Sequence, residues 1–71
     1  MITLDEIKKG QKAEILDFQD KKTKCHFARF GIEKGHIITC IAKFGALVIQ
    51  LNNQEIAIGT NICQKIYVKV L

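Results

Sequence analysis

A chain of 71 residues has room for one domain, expected over residues 1–71, with a shallow core. A core and a deep, enclosed substrate cavity of the usual roughly several hundred Å³ do not both fit, so no stand-alone enzyme and no bound cofactor are expected. The 48% apolar and 25% charged content is that of a folded globular domain, and no uncharged stretch approaches the roughly 20 residues of a membrane span. Net charge is +4, but ten of the eleven bases are Lys and only Arg29 is Arg. Bidentate reading of guanine or phosphate favours Arg forks, which weighs against specific nucleic-acid readout. The opening Met1-Ile2-Thr3-Leu4-Asp5-Glu6 has acids where a signal peptide needs bases and then a long apolar run, so a cytoplasmic location is expected.

Thr3-Leu4-Asp5-Glu6 predicts a capping box opening a helix of one or two turns, with Gly10 as its stop. Lys12 to Phe18 reads as a strand, followed by the polar turn Gln19-Asp20-Lys21-Lys22. Thr23 is expected to cap a second helix, Lys24 to Phe30, with Phe27 and Phe30 on one stripe and Gly31 closing it in left-handed geometry. Gly35 marks a turn; His36 to Lys43 and Leu47 to Leu51 are strands. Asn52-Asn53 then joins the second of these to Glu55–Ile58 as a hairpin. Thr60 or Asn61 caps a helical turn through Gln64, and Ile66 to Val70 is the closing strand. Five short strands with two or three brief helices must bend strongly on themselves to hide their edges, which predicts a small all-β barrel.

Leu4-Asp5-Glu6-Ile7, Lys9-Gly10 and Ile15 are followed by Phe27-Ala28-Arg29-Phe30-Gly31-Ile32-Glu33-Lys34-Gly35 and a strand. The chain then ends with Ile56-Ala57-Ile58, Cys63 and Ile66-Tyr67-Val68. This order resembles the FeoA family over nearly the whole length. The resemblance implies a small cytoplasmic protein with a five-stranded SH3-like barrel, associated with the FeoB ferrous iron transporter of bacteria. The block ending Gly31-Ile32-Glu33-Lys34-Gly35 is the most specific part. Ala46-Leu47 stands where the family has Pro-Ile, Gly59 where it has Arg, and Phe27 and Phe30 replace an aliphatic pair; the apolar positions stay apolar.

Iron draws attention to Cys25, His26, His36, Cys40 and Cys63 as metal ligands. The three cysteines are odd in number and form no CxxC, which argues against a disulfide framework or a four-ligand zinc site. On one strand His36 and Cys40 share a face but stand about 13 Å apart, too far for one ion. Cys25 and His26 point about 100° apart on a helix. The best composite is Cys25 or His26 meeting His36 through the fold. The plainer reading puts Cys40 and Cys63 in the core and the histidines on the surface, with no metal held tightly. No phosphate loop, no Ser and no orienting group beside a Cys–His pair are present, so no catalytic residue is assigned.

The partner implied by the resemblance is the cytoplasmic part of a FeoB-type transporter, met by Lys24, Arg29, Glu33, Lys34 and Phe44. Phe44 reads as a core plug or as an exposed anchor. Two alternatives stand beside this adaptor. One is a basic barrel binding nucleic acid through Lys21, Lys22 and Lys24 with Phe18 or Phe27, weakened because both rings read as core and Asp17 and Asp20 interrupt the bases. The other is a free-standing relative of the regulatory barrel of metal-dependent repressors.

Overall fold

Alternating aliphatic residues between polar turns give six antiparallel strands in the computed structural model, which describes residues 2–71. They are β1 (Ile2–Thr3), β2 (Lys12–Phe18), β3 (Ile37–Lys43), β4 (Ala46–Leu51), β5 (Gln54–Gly59) and β6 (Ile66–Val70). Helix α1 (Lys21–Ala28) follows β2, and the single turn α2 (Thr60–Cys63) links β5 to β6. The sheet order is β1-β6-β2-β3-β4-β5, which leaves β1 and β5 at its two edges.

All the strands from β2 to β6 contribute to one core, from Ala13, Ile15 and Phe18 on β2 to Ile66 and Val68 on β6. The sheet wraps this core because two strands carry bulges. In β2 the register slips between Ile15 and Asp17, so the buried residues are Ile15 and Phe18, three apart instead of two. In β3 it slips between Cys40 and Ala42. An extra residue on one strand raises local twist and bends the ladder, which lets so short a sheet curl.

The structure corrects several expectations. Among the described residues there are six strands, not five: Ile2 and Thr3 pair with Val68 and Tyr67. The first helix is only a 3₁₀ turn, Leu4–Glu6. The Thr3 N–H donates to Glu6 Oε2 at 2.8 Å, and Lys43 Nζ donates to the carbonyls of Asp5 (2.7 Å) and Ile7 (3.1 Å) where the chain leaves it. Gly10 therefore does not stop a helix; it sits in the turn leading to β2. Helix α1 begins at Lys21 because Asp20, not Thr23, is its cap: Asp20 Oδ1 accepts the Thr23 N–H at 2.7 Å. Thr23 is thereby turned into the protein and buried. The α1 helix ends at Ala28, so Phe30 falls beyond it and is partly exposed, while Phe27 is in the core. Gly59, not Thr60 or Asn61, precedes α2.

The expected turns are present. Gly31 has φ +78° and Gly35 φ +88°, in the region where a side chain is disfavoured. Asn52 and Asn53 both take positive φ (50° and 67°), as a two-residue hairpin loop between twisted strands requires.

Candidate functional site

One face of α1 and the free edge of β5 enclose an open groove of ≈ 690 Å³. Lys22, Cys25, His26 and Arg29 line its helical side; their spacing of three, four and seven residues is one helix face. The opposite side is the consecutive run Ile56-Ala57-Ile58-Gly59. One face of a strand shows only alternate residues, so four in a row mean that the edge of β5 lines the groove.

Gln54 Nε2 donates to the Phe30 carbonyl at 2.7 Å and ties the start of β5 to the segment after α1. Lys65 and Asp20 stand towards the start of the helix, where Gln19 N–H donates to the Lys65 carbonyl at 2.7 Å. The His26 ring meets Phe27 and Phe30 edge-on, with centroids 5.2 and 5.6 Å away.

The charges on the groove are unequal. Lys22, Arg29 and Lys65 are cationic, and Asp20 is the one carboxylate. The hydrogen bond from the Thr23 N–H, followed by one from its hydroxyl, holds the Asp20 carboxyl below its ordinary 3.8, with Lys65 and Lys22 adding to the effect. Asp20 is thus an ionised helix cap with its oxygen already engaged.

Of the candidate metal ligands, Cys25 and His26 are both exposed and line the groove, but His36 is not with them. His36 lies just before β3, not on the strand where it is expected beside Cys40. Its Nδ1 lies 2.6 Å from the Gly31 carbonyl, a distance at which Nδ1–H donates and pins the turn. Cys40 and Cys63 are fully buried core residues, as the plainer reading holds. Burial, with the nearby Asp5 charge second, pushes the Cys63 thiol up to about 11. Among the described residues no three His, Cys, Asp or Glu side chains gather as a metal site.

The residues expected to meet a partner are spread over three places. Lys24 and Arg29 are exposed on and just after α1, and only Arg29 reaches the groove. Glu33 and Lys34 are exposed in the loop before β3, where Lys34 Nζ stands 3.7 Å from Asp17 Oδ1. Phe44 sits at the tip of the β3–β4 hairpin and is 72% exposed, which overturns the core-plug reading. Phe18 and Phe27 are core, which removes the aromatic half of the proposed nucleic-acid patch. The groove itself was not anticipated: Ile56-Ala57-Ile58 reads as an ordinary strand until the sheet order places it at an edge.

A small, curled antiparallel sheet with a short helix beside one edge and an open groove between them is an SH3-like module. A family model described as the FeoA domain matches residues 2–70, and the chain belongs to the FeoA family. Among solved structures it is similar to an iron uptake regulatory protein, FeoA, at 19% identity and TM-score 0.88, over 99% of this chain and 96% of that one. A FeoA-like protein from Clostridium acetobutylicum matches at 20% identity and TM-score 0.88, over 99% and 86%. A manganese-dependent transcriptional repressor in complex with manganese matches at 18% and 0.88, over 99% of this chain but only 36% of the repressor. Comparison with curated protein sequences gives no significant match. At these identities the structural likenesses establish the fold, and it is the SH3-like fold expected.

Proposed function

We propose that the chain is a non-catalytic accessory protein of bacterial ferrous iron uptake, cytoplasmic, which docks on the cytoplasmic part of a FeoB-type transporter and modulates it. The observation that carries the reading is the family match over residues 2–70, which supports a role in iron transport. A structural relative described as an iron uptake regulatory protein, matched over 96% of its length, supports the same reading.

Docking draws on Lys24, Arg29, Glu33, Lys34 and Phe44. A net charge of +4 steers the chain towards an acidic surface and raises the association rate more than the affinity. Phe44 supplies the apolar anchor, since an exposed aromatic on a rigid hairpin is the type of side chain that dominates interfaces. The test is a pull-down with the transporter's soluble GTPase domain and its cytoplasmic loops, wild type against Phe44→Ala. Retention of the wild type, with about 30-fold weaker capture of the variant, supports the reading. Equal failure of both to bind any transporter segment contradicts it.

The likeness to a manganese-dependent repressor favours one second reading, a free-standing relative of that regulatory barrel. Anaerobic titration with Fe²⁺, Zn²⁺ and Co²⁺ separates the two. The adaptor reading expects no tight stoichiometric binding; a sub-micromolar site lost on Cys25→Ala or His26→Ala favours the repressor relative.

A further inference from the structure

The geometry points to the groove between α1 and β5 as a binding site for an extended, acidic peptide segment of a partner protein, which joins the sheet as a further strand beside β5. This deepens the adaptor reading and rests on it only for which protein carries the segment.

The backbone of β5 is prepared for such an addition. Leu51 and Gln54 flank the two-residue loop Asn52-Asn53, so they form a mutually hydrogen-bonded pair. In an antiparallel ladder such pairs alternate with open ones, which makes Ile49–Ile56 and Leu47–Ile58 the next bonded pairs. The N–H and C=O groups of Glu55 and Ala57 and the N–H of Gly59 therefore point away from β4, while the Gly59 C=O begins the hydrogen bonding of α2. All three residues are exposed, and among the described residues no turn or loop backbone hydrogen bond reaches Glu55 or Ala57 or the Gly59 N–H. A free edge of this kind is a template for another strand, and strand addition is a recurring mode of peptide recognition. From residue 55 to residue 59 the edge spans about 13 Å, enough for a strand of about five residues.

Two features select the occupant. The first is α1, which walls the far side of the groove. A second copy of this chain would bring a folded sheet behind its own edge, and that sheet meets α1. A single extended segment carries nothing behind it and fits. The second is charge: Lys22, Arg29 and Lys65 face the groove against Asp20, whose carboxylate is occupied as the helix cap, and Glu55, which stands at the far start of the edge outside the groove lining. Asp and Glu at outward positions of the segment complement these cations, while apolar residues at alternate positions meet Ile56 and Ile62.

The test pans a random-heptapeptide phage library on the immobilised wild-type protein and titrates the recovered peptides by fluorescence anisotropy and amide exchange. The expected peptides alternate β-branched or aromatic residues with Asp or Glu. They slow exchange of the Glu55, Ala57 and Gly59 amides by about 10-fold or more. Ala57→Pro removes one groove-facing N–H without breaking a bond to β4, and should weaken binding by about 10-fold or more. A variant with Lys22→Glu and Arg29→Glu, both on exposed positions, gives an independent loss if the proline disturbs folding. Failure to recover acidic peptides, or recovered peptides that leave the three amides and both variants unaffected, overturns the proposal. If the transporter's cytoplasmic part binds the wild type and Ala57→Pro equally, the groove is not its docking site although the adaptor reading stands. If acidic peptides occupy the groove and no transporter segment binds, the groove stands and the adaptor reading falls.

Discussion

Cys63 makes alkaline pH a quantitative probe of the core. It is the last residue of α2, its side chain fully buried with Sγ 3.7 Å from the Ile58 carbonyl, and burial raises its pKa from 9.0 to about 11. Because the folded value lies above the unfolded one, the contribution is whole below pH 9.0 and is lost as pH rises to about 11. The gap corresponds to about 2–3 kcal/mol, a large share of the roughly 4–10 kcal/mol that a domain of this size holds. Cys63→Ala removes the thiol and costs about 1 kcal/mol of packing at every pH, without the alkaline loss. With a urea slope near 1 kcal/mol per molar, the wild-type midpoint should fall by about 2 M more than the variant's between pH 8 and pH 11. Urea titrations of both proteins under reductant at several pH values measure this, and comparing the two cancels the titration of Lys and Tyr. Parallel losses in the two proteins refute the claim that Cys63 is held neutral by burial.

Other outcomes follow from single contacts. Gly31→Ala introduces a Cβ that meets nothing within 4 Å, so its cost is the left-handed backbone alone, about 1–2 kcal/mol by thermal melting, and Gly31→Asn should recover much of it. Asp20 titrates below its ordinary 3.8, so its contribution is present above that value and is lost as pH falls through the lowered one. Asp20→Asn should keep the helix cap but flatten this acid limb in circular dichroism melts. In the native state one thiol of three, the exposed Cys25, should react rapidly with Ellman's reagent, and all three should react in urea. Phe44→Ala should change stability by less than about 0.5 kcal/mol because the ring is already in solvent, so any loss of binding reports docking.

The elements that sequence reading locates best are those whose signals are local. Strands β2 and β6 fall on the residues expected, because alternating aliphatics bounded by polar turns are self-contained. The Gly31 and Gly35 turns and the Asn52-Asn53 hairpin also follow from positive φ at residues that tolerate it. The start of α1 was misplaced because Asp20 and Thr23 are both good caps, three residues apart, and only the bond from Thr23 N–H to Asp20 decides between them. Strand β1 escapes a local reading since it exists only by pairing with β6 at the other end of the chain. The groove was hidden for the same reason. Ile56-Ala57-Ile58 looks like any strand, and its free edge depends on a sheet order that no window of sequence contains. Phe44, between Lys43 and Gly45, carries no periodicity that would tell core from tip.

The proposed docking on an iron transporter is open to calorimetric titration against the transporter's purified cytoplasmic part. Saturable one-to-one binding should appear, weakening with added salt as for a basic chain meeting an acidic surface, and dropping sharply for Phe44→Ala. No heat with the GTPase domain or any cytoplasmic loop, together with tight, salt-sensitive binding of RNA by the same preparation, contradicts it.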